Sequence, residues 1–218
     1  MATATIPVEQ RFVLSGIDWP AYVTFGDLLG ERHVRLTYDR GALEFMTLSP
    51  EHERAKQLIR RLLEALTEEL DIDIAGYGSM TCRRAELERG LEPDECYWVA
   101  HEPQVRGRDD VDLDSDPPPD LAIEVEISRS ALNRLALYGS LGVPEVWRWD
   151  GRLLRFCVLQ PDGRYAERPH SSAFPFLAAS ELLRFLANSD DVSETKRLRS
   201  FRAWVRHQAA GDWQGKGA

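Results

Sequence analysis

Pro119-Asp-Leu-Ala-Ile-Glu-Val-Glu-Ile-Ser128 is the stretch on which the fold turns. In an extended chain alternate side chains share a face, so Asp120, Ala122, Glu124, Glu126 and Ser128 point one way and Leu121, Ile123, Val125 and Ile127 the other. One face is apolar and the other acidic. At ~3.3 Å per residue, Glu124 and Glu126 stand about 7 Å apart at Cα, close enough for both side chains to approach one ion or its bound water. Asp120 lies about 13 Å from Glu124 on the same basis, too far to be its first co-ligand. Two readings stay open: a half-exposed strand whose acids face water, or a carboxylate pair at a reactive site.

Working outward, Glu92-Pro93-Asp94 places a further carboxylate where the strand Glu95–Ala100 begins. Pro93 presets φ and cannot donate to a ladder, so it belongs at a strand entrance and holds Asp94 in a defined direction. If the two strands pair, Asp94 and Glu124 can chelate one metal. Upstream, His33–Tyr38 and Ala42–Met46 flank Asp39-Arg-Gly41 as a hairpin. Ser49 caps the next helix, Pro50 fits its first position, and Leu58, Ile59, Leu62, Leu63, Leu66 and Leu70 recur at helical spacing. Asp71–Arg83 reads as a strand broken at Gly76 and Gly78. Downstream, Ser130–Leu141 reads as a helix ended by Gly142, and Glu145–Trp149 and Leu153–Leu159 as a hairpin that a short strand near Tyr165 joins. Two helical patterns, Ala178–Leu186 and Glu194–Gln208, close the chain.

Together Glu92-Pro93-Asp94, Pro119–Ser128 and ALYGSLGVPEVWRWDG over Ala136–Gly151 resemble the Uma-type endonuclease family, a group of unknown function within the PD-(D/E)xK superfamily. The likeness covers about residues 20 to 205, including the hairpin and the LSPEHER helix start. It implies an α/β, restriction-endonuclease-like fold: a mixed β-sheet flanked by helices, with additional β-hairpins. It implies Asp94 as the Pro-Asp carboxylate and Glu124 as the first acid of the (D/E)xK element. Glu126 departs from the pattern, standing where lysine is expected, as it does in some restriction enzymes of the superfamily. Arg134, in Arg134-Leu-Ala-Leu-Tyr138, matches the place where family members carry a displaced lysine. Lys56 and Arg83 are the other cations that could substitute. His52, in the first turn of the Ser49-capped helix, matches a family histidine that could orient Glu44 or a water, although a lone histidine there also reads as structural. Glu44, Glu51 and Glu53 are candidate supporting acids with a solvated alternative.

The activity so implied is hydrolysis of DNA phosphodiester bonds. Asp94, Glu124 and Glu126 would hold Mg²⁺ or Mn²⁺, Glu126 would orient or deprotonate water, and Arg134 would neutralise charge developing on phosphate. Cutting both strands favours a homodimer. The alternative is a nuclease fold kept as a catalytically inactive DNA- or protein-binding module; a carboxylate-pair glycosidase fits less well, because one strand puts both acids on the same side of a substrate.

The bulk composition agrees. A chain of 218 residues, 43% of them hydrophobic, can bury one core, read as an N-terminal extension over 1–20, a single domain over 21–208 and a flexible tail over 209–218. No apolar run approaches the ~20 residues of a membrane span, and no leader is visible at the start. The three cysteines lack any metal-binding spacing, and the expected location is the cytoplasm. A net charge of −9 argues against a non-specific nucleic-acid coat protein, but 24 of the 27 basic residues are arginine, whose fork suits phosphate. Asp110-Val-Asp112-Leu-Asp114 lacks the glycine and glutamate of a calcium loop, and no phosphate-binding glycine loop or serine elbow is present. The arginines of the last helix could grip phosphate or simply cover an amphipathic helix docked on the core.

Overall fold

The structure, a computed structural model, describes residues 9–30, 32–187 and 192–215. Its centre is β8 (Leu121–Val125), buried at all five positions. Leu121, Ile123 and Val125 pack toward α2 (Pro50–Leu70), whose Leu58, Ile59, Leu62, Leu63 and Leu66 meet them in one apolar cluster. Ala122 faces a second cluster with Leu137, Tyr138 and Leu141 of α4 (Arg134–Leu141). The strand therefore has cover on both faces, and Glu124 is not a water-facing acid.

β8 pairs antiparallel with β7 (Glu95–Trp98), with Glu95 opposite Ile123, and parallel with β9 (Glu145–Trp149), with Glu124 opposite Arg148. A parallel neighbour requires a crossover, and α4 provides it. With β4 (Ala75–Gly78), β10 (Leu154–Leu159) and β11 (Tyr165–Arg168) these strands form a mixed sheet in the order β11-β10-β9-β8-β7-β4. Ser49 accepts from the His52 amide to start α2, and Asp71, at φ 55°, ends it in the left-handed conformation. α5 (Ala179–Leu186) and α6 (Glu194–Gly215) pack beside α2, with Phe201 and Val205 buried. Arg202 and Arg206 of α6 bind Glu68 and Glu69, so these arginines dock the helix. Trp147 stacks on Phe156 in the core.

The second sheet is antiparallel, ordered β1-β3-β2-β6-β5, from β1 (Gln10–Ser15), β2 (Val34–Asp39), β3 (Ala42–Thr47), β5 (Cys82–Arg84) and β6 (Arg89–Leu91). The β2–β3 turn has Arg40 at φ 43° and Gly41 at φ 94°, both positive as a two-residue hairpin turn of this twist requires. α1 (Trp19–Leu29) lays Tyr22 flat on Tyr38 of β2, with ring centroids 4.7 Å apart.

The mixed sheet, flanking helices and hairpins agree with the expected fold, and several local expectations are corrected. The stretch read as an N-terminal extension supplies β1, six residues in register with β3. Asp71–Arg83 is not one strand: β4 and β5 lie in different sheets. α3 (Glu102–Val105) interrupts the acidic loop. α4 starts at Arg134, because Asn133 caps it by accepting from the Ala136 amide, so Ser130–Asn133 is loop. α6 runs through most of the stretch read as a tail, and residues 216–218 lie outside the described residues.

Candidate active site

The β7–β8 pairing brings Asp94 to the end of β8. Its amide donates to Ile123 O at 3.2 Å, and its carboxylate Oδ2 accepts from the Val125 amide at 2.7 Å. Asp94 is 4% exposed and Glu124 6%. A carboxylate so buried must be matched, and each is matched by a different cation. Nε2 of His52 lies 3.2 Å from Asp94 Oδ1, but off the N–H direction, so neither ring nitrogen has an aligned hydrogen-bond partner. Burial alone would raise the Asp94 carboxyl; His52, the Val125 amide and Arg134 outweigh it and hold it below the usual aspartate range. Burial works against a charged His52, but Asp94, Glu9 and Glu53 around it push its value up. His52 thus serves Asp94, not Glu44.

Glu124 is held by Arg134 in a two-pronged pair, Nε to Oε2 at 2.9 Å and Nη2 to Oε1 at 2.5 Å, and by the Tyr138 hydroxyl. The rest of the guanidinium is also spoken for: Nη1 donates to Thr37 Oγ1 on β2, and Nη2 to the Glu92 carbonyl at 2.8 Å. Burial raises the Glu124 carboxyl and Asp94 adds to this, with Arg134 offsetting part of it. Burial works against the charge on Arg134, but Glu124, Tyr138 and Asp94 together outweigh it and drive its value further up. Arg134, expected at the phosphate, has these donors engaged inside the protein. As the first residue of α4 it points inward and ties β8, β2 and the Glu92–Pro93 link together.

Glu126 shares a cavity of about 340 Å³ with Glu124, as the alternation predicts, and pairs with Arg148 of β9. Arg129, Ser130 and Asn133 also line it. The loop over this cavity is fastened from the second sheet. Glu44 Oε1 accepts from Arg11 and from Ser130 Oγ, both at 2.8 Å, and Oε2 from the Ala131 amide at 2.8 Å. Glu9 binds the Ser128 amide and hydroxyl. Glu44 is thus a fully buried loop anchor, not a solvated acid. Lys56 pairs with Glu53 at 3.1 Å and is not among the residues lining this cavity; nor is Arg83, on β5. Asp120 caps the turn after β7, accepting from the Val99 and His101 amides.

Sequence reasoning missed Glu9, Arg11, Arg129 and Arg148. Arg148 carries the only local signal, since a parallel strand after the crossover must present some residue opposite Glu124.

The three carboxylates read as ligands do not converge: among the described residues no three His, Cys, Asp or Glu side chains are grouped to hold a metal ion. Glu124 and Glu126 line the same cavity, with Glu126 paired to Arg148, whereas Asp94, bound to the Val125 amide, is not among the residues lining it. Asp94 and Glu124 still suit a hard divalent ion, since Mg²⁺ is commonly bound by one or two carboxylates, retained waters and substrate phosphate. The unpartnered buried nitrogens of His52 and the unpartnered Glu9 Oε2 mark this region as short of polar partners, as a site for water or an ion would be.

A family model named Uma2, described as a putative restriction endonuclease, matches residues 22–189. Among solved structures the chain is similar to one titled a putative nuclease belonging to DUF820 from Anabaena variabilis, at 12% identity, covering 65% of this chain and 84% of that one, with a TM-score of 0.44. No curated protein matches it. Among the described residues no helix is long and apolar enough to cross a membrane.

Proposed function

The chain belongs to the Uma2 family, and we propose that it is a DNA endonuclease that hydrolyses phosphodiester bonds at the cavity beside Glu124, with Asp94 and Glu124 as the ligands of Mg²⁺ or Mn²⁺. One observation supports this above the others: the Asp94 carboxylate is fixed across the β7–β8 pairing by the Val125 amide, so that it lies beside Glu124, the next residue back along β8. Bound there, a hard divalent cation would polarise a phosphoryl oxygen and lower the pKa of water.

The chain's own residues do the rest. His52 keeps Asp94 charged. Arg134 and Tyr138 fix the direction of Glu124. Glu126, half-buried in the same cavity and matched by Arg148, would take a proton from the attacking water. Glu44 and Glu9 hold the loop from Ser128 to Ala131 that forms the cavity rim. Cleavage of both strands of a duplex needs two such sites, which a homodimer would supply.

A second reading, a nuclease fold that binds DNA without cutting it, is favoured by the pairing of Glu124 and Glu126 with the chain's own arginines. Nicking of supercoiled plasmid with Mg²⁺ or Mn²⁺ separates the two. The endonuclease nicks, and Asp94→Ala and Glu124→Ala proteins that keep their circular dichroism do not. Equal nicking by all three contradicts the assignment, and plasmid retardation without nicking supports the binding module.

A further inference from the structure

The cavity beside Glu124 is lined by two carboxylates, Glu124 and Glu126, and three guanidinium groups, Arg129, Arg134 and Arg148. Two of these arginines are used up, Arg134 by Glu124 and Arg148 by Glu126. Arg129 is exposed, and among the described residues it has no carboxylate partner. The lining therefore carries one surplus positive charge, seated on Arg129, in a chain whose net charge is −9. Local surplus of this kind is what draws a phosphate to an otherwise acidic protein.

The position of Arg129 is also constrained. Its neighbours on both sides are tied down, Ser128 by Glu9 and Ser130 and Ala131 by Glu44. The loop backbone is thus pinned while the Arg129 side chain is left free, an arrangement that makes little sense for a structural arginine. The loop runs directly into α4, and its residues Asn133 to Leu135 line the same cavity. The positive end of that helix adds to the field there.

We propose that Arg129 is the residue that grips the DNA backbone phosphate, and that Arg134, with its donors engaged inside the protein, does not. This rests on the nuclease reading above and assigns the substrate contact within it. A contact of this kind adds sequence-independent affinity that salt erodes.

The test is fluorescence anisotropy of a labelled 20-base-pair duplex titrated with wild-type, Arg129→Ala, Arg129→Lys and Arg184→Ala proteins over a series of salt concentrations. Arg184, on α5, pairs with Glu181 away from the cavity and serves as a surface-charge control. Arg129→Ala should weaken binding about tenfold and reduce the slope of log affinity against log salt by about 0.9, the release expected for one lost phosphate contact. Arg129→Lys should restore most of the slope and Arg184→Ala should match wild type. Wild-type binding with an unchanged slope in Arg129→Ala overturns the assignment of Arg129 alone, as does an equal loss in Arg184→Ala. Absence of both duplex binding and plasmid nicking by the wild type overturns the nuclease reading beneath it.

Discussion

Replacing Arg134 by methionine keeps the bulk of the aliphatic stem and removes the guanidinium that Glu124 depends on. The structure sets the size of the effect. Glu124 is 6% exposed, so it would lose a two-pronged charge pair with little water to replace it, and Thr37 and the Glu92 carbonyl would lose donors. Breaking one side of a buried ion pair costs about 3–5 kcal/mol, and for a domain of this size each kcal/mol moves Tm by about 2–4 °C. The expected fall in Tm is therefore roughly 6–20 °C. The double variant Glu124→Gln with Arg134→Met removes the stranded charge and should recover much of the loss, giving a coupling of about 2–3 kcal/mol in a double-mutant cycle. Thermal and urea melts of wild type, both single variants and the double variant measure it. A methionine variant melting within a degree or two of wild type, or additive single effects, would refute the view that Arg134 acts as the internal counter-ion of Glu124.

Glu44→Ala should cost about 1.5–3 kcal/mol by removing one of the two carboxylates that match Arg11 and the acceptor of the Ser130 hydroxyl and Ala131 amide, and hydrogen exchange should quicken across residues 128–133 while α2 stays protected. Gly90→Ala places a Cβ 2.3 Å from the buried Tyr22 hydroxyl and 2.9 Å from its Cζ, a clash worth about 1–3 kcal/mol in a melt; Tyr22→Phe, which removes a hydroxyl without a partner, should be near neutral alone and should relieve the clash only in part, because the ring carbon stays. Burial pushes the Cys157 thiol up to about 11. At pH 8 only about one thiol in a thousand is then thiolate, and that fraction rises tenfold per pH unit up to that value. Native protein should accordingly react slowly with a thiol-exchange reagent, and all three buried cysteines quickly in denaturant. Fast native labelling at pH 8 would contradict that burial.

The parts of the fold legible in the sequence were those with local periodicity. Alternation gave β8, the Ser49-Pro50 cap and leucine spacing gave α2, and Arg40-Gly41 gave the β2–β3 hairpin. β1 was missed because its Phe12, Val13 and Leu14 are exposed at a sheet edge, so its apolar residues do not follow a buried face. β6 is three residues long, too short for a period to show. α1 did carry a signal, the Asp18 cap with Pro20 after it, that its mixed composition obscured. Asp94 and Glu124 could be proposed as candidates because a proline-set strand entrance and an alternating strand each fix a side-chain direction. The anchoring of Ser128 by Glu9 and Arg11 spans well over a hundred residues of chain, as does no local pattern. The direction of Arg134 was equally hidden, since it follows from Asn133, which as the cap delays the helix and turns Arg134 inward.

In the proposed function Asp94 and Glu124 form one cation site. Crystals soaked in Mn²⁺ and measured at the manganese absorption edge test it most directly. A single anomalous peak within bonding distance of both carboxylates, lost in Asp94→Asn, is the predicted result. A peak held by neither residue, or no peak at saturating Mn²⁺ with Glu124 still locked to Arg134, would contradict it.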